Sequence, residues 1–162
     1  MDIVKRDQFI ALWKKYFNDA ELPVAFYYSK ENNNATIVKK AMGHTCIIAQ
    51  LGRVRKGESL CFLPDSVGCG GGKFYLGFSK SMREGFEYFL SHGENTPHCE
   101  RYKRTPEQVN AFLKTVHELP RKGDCLVFKR WDHLTGQDEP EAVFFFAPAD
   151  VISGLFTLAG FD

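Results

Sequence analysis

Nowhere does the chain carry the ~18 consecutive apolar residues that a membrane span requires, so no transmembrane helix is predicted. Its opening, Met1-Asp2-Ile3-Val4-Lys5-Arg6-Asp7, lacks the apolar core of a secretory signal, and a cytoplasmic chain is expected. An excess of one charge is also missing. The 21 Lys and Arg nearly balance the 20 Asp and Glu, leaving a net charge of +1. That balance argues against a nucleic-acid or acidic-membrane surface, and neither partner is expected. The five cysteines are odd in number and never fall in a Cys-x-x-Cys spacing, nor do the histidines form His-x-x-x-His. A closed disulfide framework and a self-contained zinc site are both disfavoured, and reduced thiols are expected. There is no internal repeat, low-complexity tract or obvious linker.

What the chain has is apolar bulk. It holds 15 Phe, and 44% of its 162 residues are hydrophobic. A single domain spanning residues 1–162 with an aromatic-rich core is predicted. Phe9, Leu12, Trp13, Tyr16 and Phe17 recur at helical spacing, which predicts an amphipathic helix over 5–17. Pro23 to Tyr28 reads as a strand, and Glu31 to Asn34 as a polar loop. Ile47, Ile48, Leu51 and Val54 predict a helix with Thr45 as its cap, Cys46 in its first turn and Gly57 as its stop. A strand at 59–63 follows, then a helix over 81–91. Thr105-Pro106-Glu107-Gln108 has the composition of a helix start. Cys125 to Phe128 and Ala142 to Phe146 read as buried strands, and Pro148 opens a last helix. The order predicts α+β or α/β: a mixed sheet of at least four strands with about six helices packed on it. The apolar face of the last helix needs a cover, which a second copy of the chain or a further C-terminal segment is expected to supply.

The chemically suggestive stretch is Cys69-Gly70-Gly71-Gly72-Lys73, placed after a strand and a turn. Glycines leave no bulk beside the sulfur, and a helix starting near Gly70 aims N–H groups and a positive dipole end at it. Such a setting favours thiolates and anions. Cys46 shares the predicted helix-start setting. The pair could ligate a metal or an iron–sulfur centre, form a redox couple or supply a nucleophile. His44 is the nearest further metal ligand to Cys46, and the pair His98-Cys99 is another candidate. His44 or His98 could also serve a cysteine nucleophile as base. Gly70, Gly71, Gly72 and Lys73 have the parts of an anion or cofactor cradle, although their spacing fits neither the P-loop nor the Rossmann fingerprint. Cys61 and Cys125 fall in predicted strands and read as core. His92, His117 and His133, the turn Trp131-Asp132-His133 and the basic loop 94–104 read as solvated.

Four segments resemble the uncharacterised ArCR family, a domain of unknown function numbered 169. They are Met42-Gly43-His44-Thr45-Cys46 with Arg53-Val54-Arg55-Lys56-Gly57, Cys69-Gly70-Gly71-Gly72 with Leu76-Gly77, Glu100-Arg101-Tyr102 before a capped helix, and Val143 to Asp150 leading to Leu158-Ala159-Gly160-Phe161. The resemblance implies a shared fold and prominence for Cys46 and Cys69, but no activity. Family members usually continue past this chain's last residue, which implies an absent C-terminal portion. A Pro commonly follows the second cysteine, where this sequence has Gly70. The reading carried forward is a domain that binds a small ligand, cofactor or metal centre through Cys46, Cys69 and the glycine loop. The alternatives are a structural or interaction module with inert cysteines, and a cysteine-nucleophile enzyme.

Overall fold

A computed structural model describes residues 1–92, 101–116 and 121–161 of the chain. It divides into two compact units: residues 1–68 with 122–162, and residues 69–121.

The first unit is built on a five-stranded mixed sheet in the order β2-β3-β4-β1-β5. Its strands are β1 (Val24–Ser29), β2 (Thr36–Ile37), β3 (Leu60–Phe62), β4 (Cys125–Arg130) and β5 (Ala142–Phe144). All neighbours run antiparallel except β2 and β3, which are parallel. β1 and β4 are buried along almost their whole length. Continuous apolar runs, rather than alternation, are what a strand covered on both faces requires. The register separates two chemistries. Phe26, Phe62, Phe128 and Phe144 share one face, with Phe26 and Phe128 rings 5.7 Å apart and Phe62 and Phe128 5.8 Å apart. Ala25, Tyr27, Cys61, Cys125, Val127 and Lys129 share the other. The aromatic core expected from composition is thus one face of the sheet.

Helix α1 (Ile3–Tyr16) begins two residues before the predicted 5–17, because the Asp2 carboxylate accepts the N–H groups of Val4 and Lys5. Its buried stripe is narrower than predicted. Phe9, Trp13 and Phe17 stack in series, while Leu12 and Tyr16 are exposed. The helix predicted from Thr45 is shorter. A 3₁₀ turn covers Ile48–Gln50 and leads into α2 (Leu51–Arg55). Thr45 and Cys46 stand outside it. The reason lies at Gly68, where an added Cβ would sit 2.2 Å from the Gly43 carbonyl oxygen and 2.4 Å from Thr45 Oγ1. Residues 43–45 are pressed against another backbone there and cannot wind into a first turn. A final helix, α6 (Ala149–Ala159), contains no buried residue.

The second unit holds α3 (Gly70–Tyr75), α4 (Phe86–Ser91) and α5 (Pro106–Thr115). The helix predicted over 81–91 begins only at Phe86, because Gly85 takes φ +73° and ends helical winding on its N-terminal side. α5 starts as predicted, with Thr105 Oγ1 accepting the Gln108 N–H at 3.3 Å. The architecture is α+β.

Candidate functional site

Two small glycines and a run of backbone bonds build a hollow beside the end of the sheet. The Val38 N–H donates to the Cys61 carbonyl at 2.9 Å, and the Ala41 N–H to the Asp65 carbonyl at 3.0 Å. These extend the β2–β3 pairing beyond β2 itself. Ser66 Oγ–H donates to the Val38 carbonyl at 2.5 Å and accepts the Leu63 N–H at 3.3 Å, locking the turn after β3 to the same segment. Gly43, with φ +138°, then turns the chain toward Thr45 and Cys46. The hollow measures about 160 Å³ and is open to solvent on one side. Ile47, Phe62 and Val67 supply buried apolar lining, and Lys39, Lys40, Thr45 and Gln50 supply polar lining. Cys46 lines it with an exposed thiol. His44 is exposed and makes no hydrogen bond to Cys46, so no base is set against that sulfur.

Cys69 opens the second unit. It is half-buried and caps α3, its sulfur accepting the Gly72 N–H at 3.3 Å. The predicted helix start near Gly70 is therefore present. One of the amides expected to face a ligand is taken by the capping sulfur. The glycines themselves are not forced by crowding: a Cβ on Gly70 would meet nothing within 4 Å, and one on Gly71 only ordinary contacts. Lys73 closes the first turn by donating its N–H to the Cys69 carbonyl at 2.9 Å.

Cys61 and Cys125 lie in the core, as expected. Both are 2% exposed or less. The Cys125 sulfur stands 3.2 Å from the carbonyl oxygens of Ser29 and Glu31. Burial first, and then the neighbouring Cys125 sulfur, pushes the Cys61 thiol up to about 12. Burial also raises Cys125. Neither forms a thiolate near neutrality. Among the described residues, no group of three or more His, Cys, Asp and Glu side chains could hold a metal ion. His98, Cys99 and His117 lie outside the described residues.

A buried polar cluster escaped the sequence reading. Asp138 is 0% and Lys129 2% exposed. Lys129 Nζ donates to both Asp138 oxygens, at 2.9 and 3.2 Å. The Thr135 N–H, Thr135 Oγ1, Asn33 Nδ2 and the Tyr27 hydroxyl donate to the same carboxylate. Burial alone would favour the neutral acid, but the bonds from Tyr27, Lys129 and Thr135 outweigh it and lower the Asp138 pKa. The one signal in the sequence was a lysine directly following the apolar run Leu126-Val127-Phe128.

The profile of the uncharacterised ArCR family, domain of unknown function 169, matches residues 14–162. The chain belongs to the uncharacterised ArCR family. No curated protein and no solved structure matches it. The ArCR assignment thus fixes kinship and carries no activity with it. No helix among the described residues of this ArCR chain is long and apolar enough to cross a membrane.

Proposed function

We propose that this ArCR protein binds a small ligand through thiol contacts, with Cys46 as the contact residue of the first unit. The observation that carries this is the contrast between one exposed thiol lining a cavity and two thiols buried in the sheet of the same unit. An apolar floor with a few polar groups around it is the usual build of a small-molecule site. Lys39 and Lys40 favour an anionic group on the ligand, and the sulfur favours a soft or electrophilic centre. Cys69, the Gly70–Gly72 backbone and Lys73 are a separate candidate contact set, belonging to the second unit alone. A metal or iron–sulfur centre is not favoured, because the described residues offer no set of three ligands.

The test is alkylation of the native protein by iodoacetamide, mapped by mass spectrometry, before and after exposure to a library of small anions and cofactors. Cys46 should be modified rapidly, and a true ligand should protect it. Labelling of Cys46 at the rate of Cys61, or a ligand that binds Cys46→Ala as tightly as the native chain, would reject the reading.

A second reading, an interaction module, rests on α6. Phe156 is 75% and Phe161 84% exposed, and nothing in the helix is buried. Light scattering of the native chain separates the two: a stable dimer abolished by Phe156→Glu supports the interaction module, whereas a monomer that binds ligand at Cys46 supports the site.

A further inference from the structure

A second cavity in the first unit, independent of Cys46, measures about 400 Å³. Tyr27, Lys30, Asn33, Lys122, Glu139 and Glu141 are among the residues that line it. Two of its walls are the end of β1 with the loop after it and the connection between β4 and β5, and Lys122 adds a third from just before β4. The first two are tied to one carboxylate. Asn33, which takes φ +46°, donates to Asp138 from the first wall at 3.2 Å. Asp138 belongs to the second wall, and its neighbours Gln137 and Glu139 line the cavity. Tyr27 lines it too, with its hydroxyl on the same carboxylate.

A buried ion pair adds little net stability compared with apolar packing, so its clearest effect here is to fix geometry. Asp138, anchored to β4 by Lys129 and to the loop after β1 by Asn33, holds the two loops in one arrangement before anything binds. Preorganisation of that kind lowers the ordering cost of capturing a small polar molecule.

The charges say which molecule. Glu141 is already engaged: it accepts the Tyr28 N–H at 3.2 Å and lies 3.5 Å from Lys122 Nζ. Lys30 and Glu139 form no ion pair among the described residues. The hollow therefore presents an unneutralised cation, Lys30, and an unneutralised anion, Glu139, with Lys122 beside them, paired with Glu141 and still able to share its remaining N–H donors. We infer that this cavity is a binding site for a small zwitterion of the α-amino-acid class, its carboxylate on Lys30 and Lys122 and its ammonium on Glu139. A dicarboxylate would bring a second anion against Glu139, and a diamine a second cation against the lysines. The volume lies within the usual range for such ligands, about 300–1,000 Å³.

Isothermal titration of the full chain with single L-amino acids, succinate and putrescine at millimolar concentration tests the inference. At least one amino acid should bind, with succinate and putrescine at least about tenfold weaker. Glu139→Gln and Lys30→Gln should each weaken that amino acid about tenfold without moving the thermal midpoint, since both side chains are exposed, and Cys46→Ala should leave it unchanged. Binding of no amino acid, binding of succinate or putrescine as tightly, or binding indifferent to both Gln substitutions would each overturn it.

Discussion

The sealed face of the sheet and the open corner at residues 39–50 use the same kinds of side chain to opposite ends. Cys61 and Cys125 sit among Ala25, Tyr27 and Val127 with no solvent at the sulfur, while Cys46 lines a cavity and is exposed. Lys129 is buried against Asp138, while Lys39 and Lys40 stand free at a rim. Residue type alone therefore predicts little here. What decides is whether the surroundings have already satisfied the group. On the sealed face every thiol and charge has a partner, so removing one should cost stability. At the corner, removal should cost reactivity alone.

The sharpest test of that contrast is Asp138→Ala, which strands the Lys129 ammonium in the interior. It should lose about 3–5 kcal/mol in urea unfolding, the usual cost of orphaning a buried charge. Gly68→Ala comes next. Its Cβ would have to displace backbone at Gly43 and Thr45, costing about 1–3 kcal/mol and changing the Cys46 labelling rate, since Thr45 and Cys46 adjoin in the chain. Cys125→Ala removes a satisfied buried thiol and should cost about 1–2 kcal/mol. Cys46→Ala should stay within about 0.5 kcal/mol of native while losing a fast-labelling site. If Cys46→Ala proved as costly as Cys125→Ala, the distinction between the two regions would collapse.

Acidity probes the same contrast more gently. The folded pKa of Asp138 lies below its unfolded value, so its contribution is present above pH ~4 and lost as pH falls through the folded value. Asp138→Asn should remove that acid-dependent arm. Cys61 has the opposite sign. Its folded pKa is raised to about 12, so its contribution is intact below the ~8.5 of an unfolded thiol and declines as pH climbs toward about 12. Tyr27, raised by burial and its bond to Asp138, adds to the same alkaline loss. Guanidinium midpoints across pH 3 to 11 should therefore fall at both ends, the acid limb becoming shallower in Asp138→Asn, with the lowered carboxyls of Asp132 and Glu21 keeping part of it.

The elements legible in the sequence were those whose causes are local. Val24–Ser29 and Cys125–Arg130 are apolar runs long enough to name themselves, and the Thr105 cap is written in four consecutive residues. The illegible ones depend on distant partners. β2 is two exposed residues, a strand only because β3 lies beside it. Thr45 has the composition of a helix cap and is denied the role by Gly68, 23 positions on. Gly85 gave no sign of a left-handed conformation that halves the helix predicted around it. For the site, the cysteines were visible as thiols in special settings, but which faced a cavity was not. In sequence Asp138 is one more residue of a polar connection, and only the fold brings Lys129, nine positions earlier, against it.

The order of the sheet has a consequence for biogenesis. Among the described strands β1 pairs only with β4 and β5, and β4 leaves the ribosome about a hundred residues after β1. Throughout that interval Val24–Ser29 is an apolar segment with unpaired edges, the kind that pairs with the wrong neighbour. Folding of this unit is governed by long loop closure and should be slow. Truncation before residue 125 should leave β1 without either of its neighbours and give an aggregating fragment, whatever its helices achieve on their own.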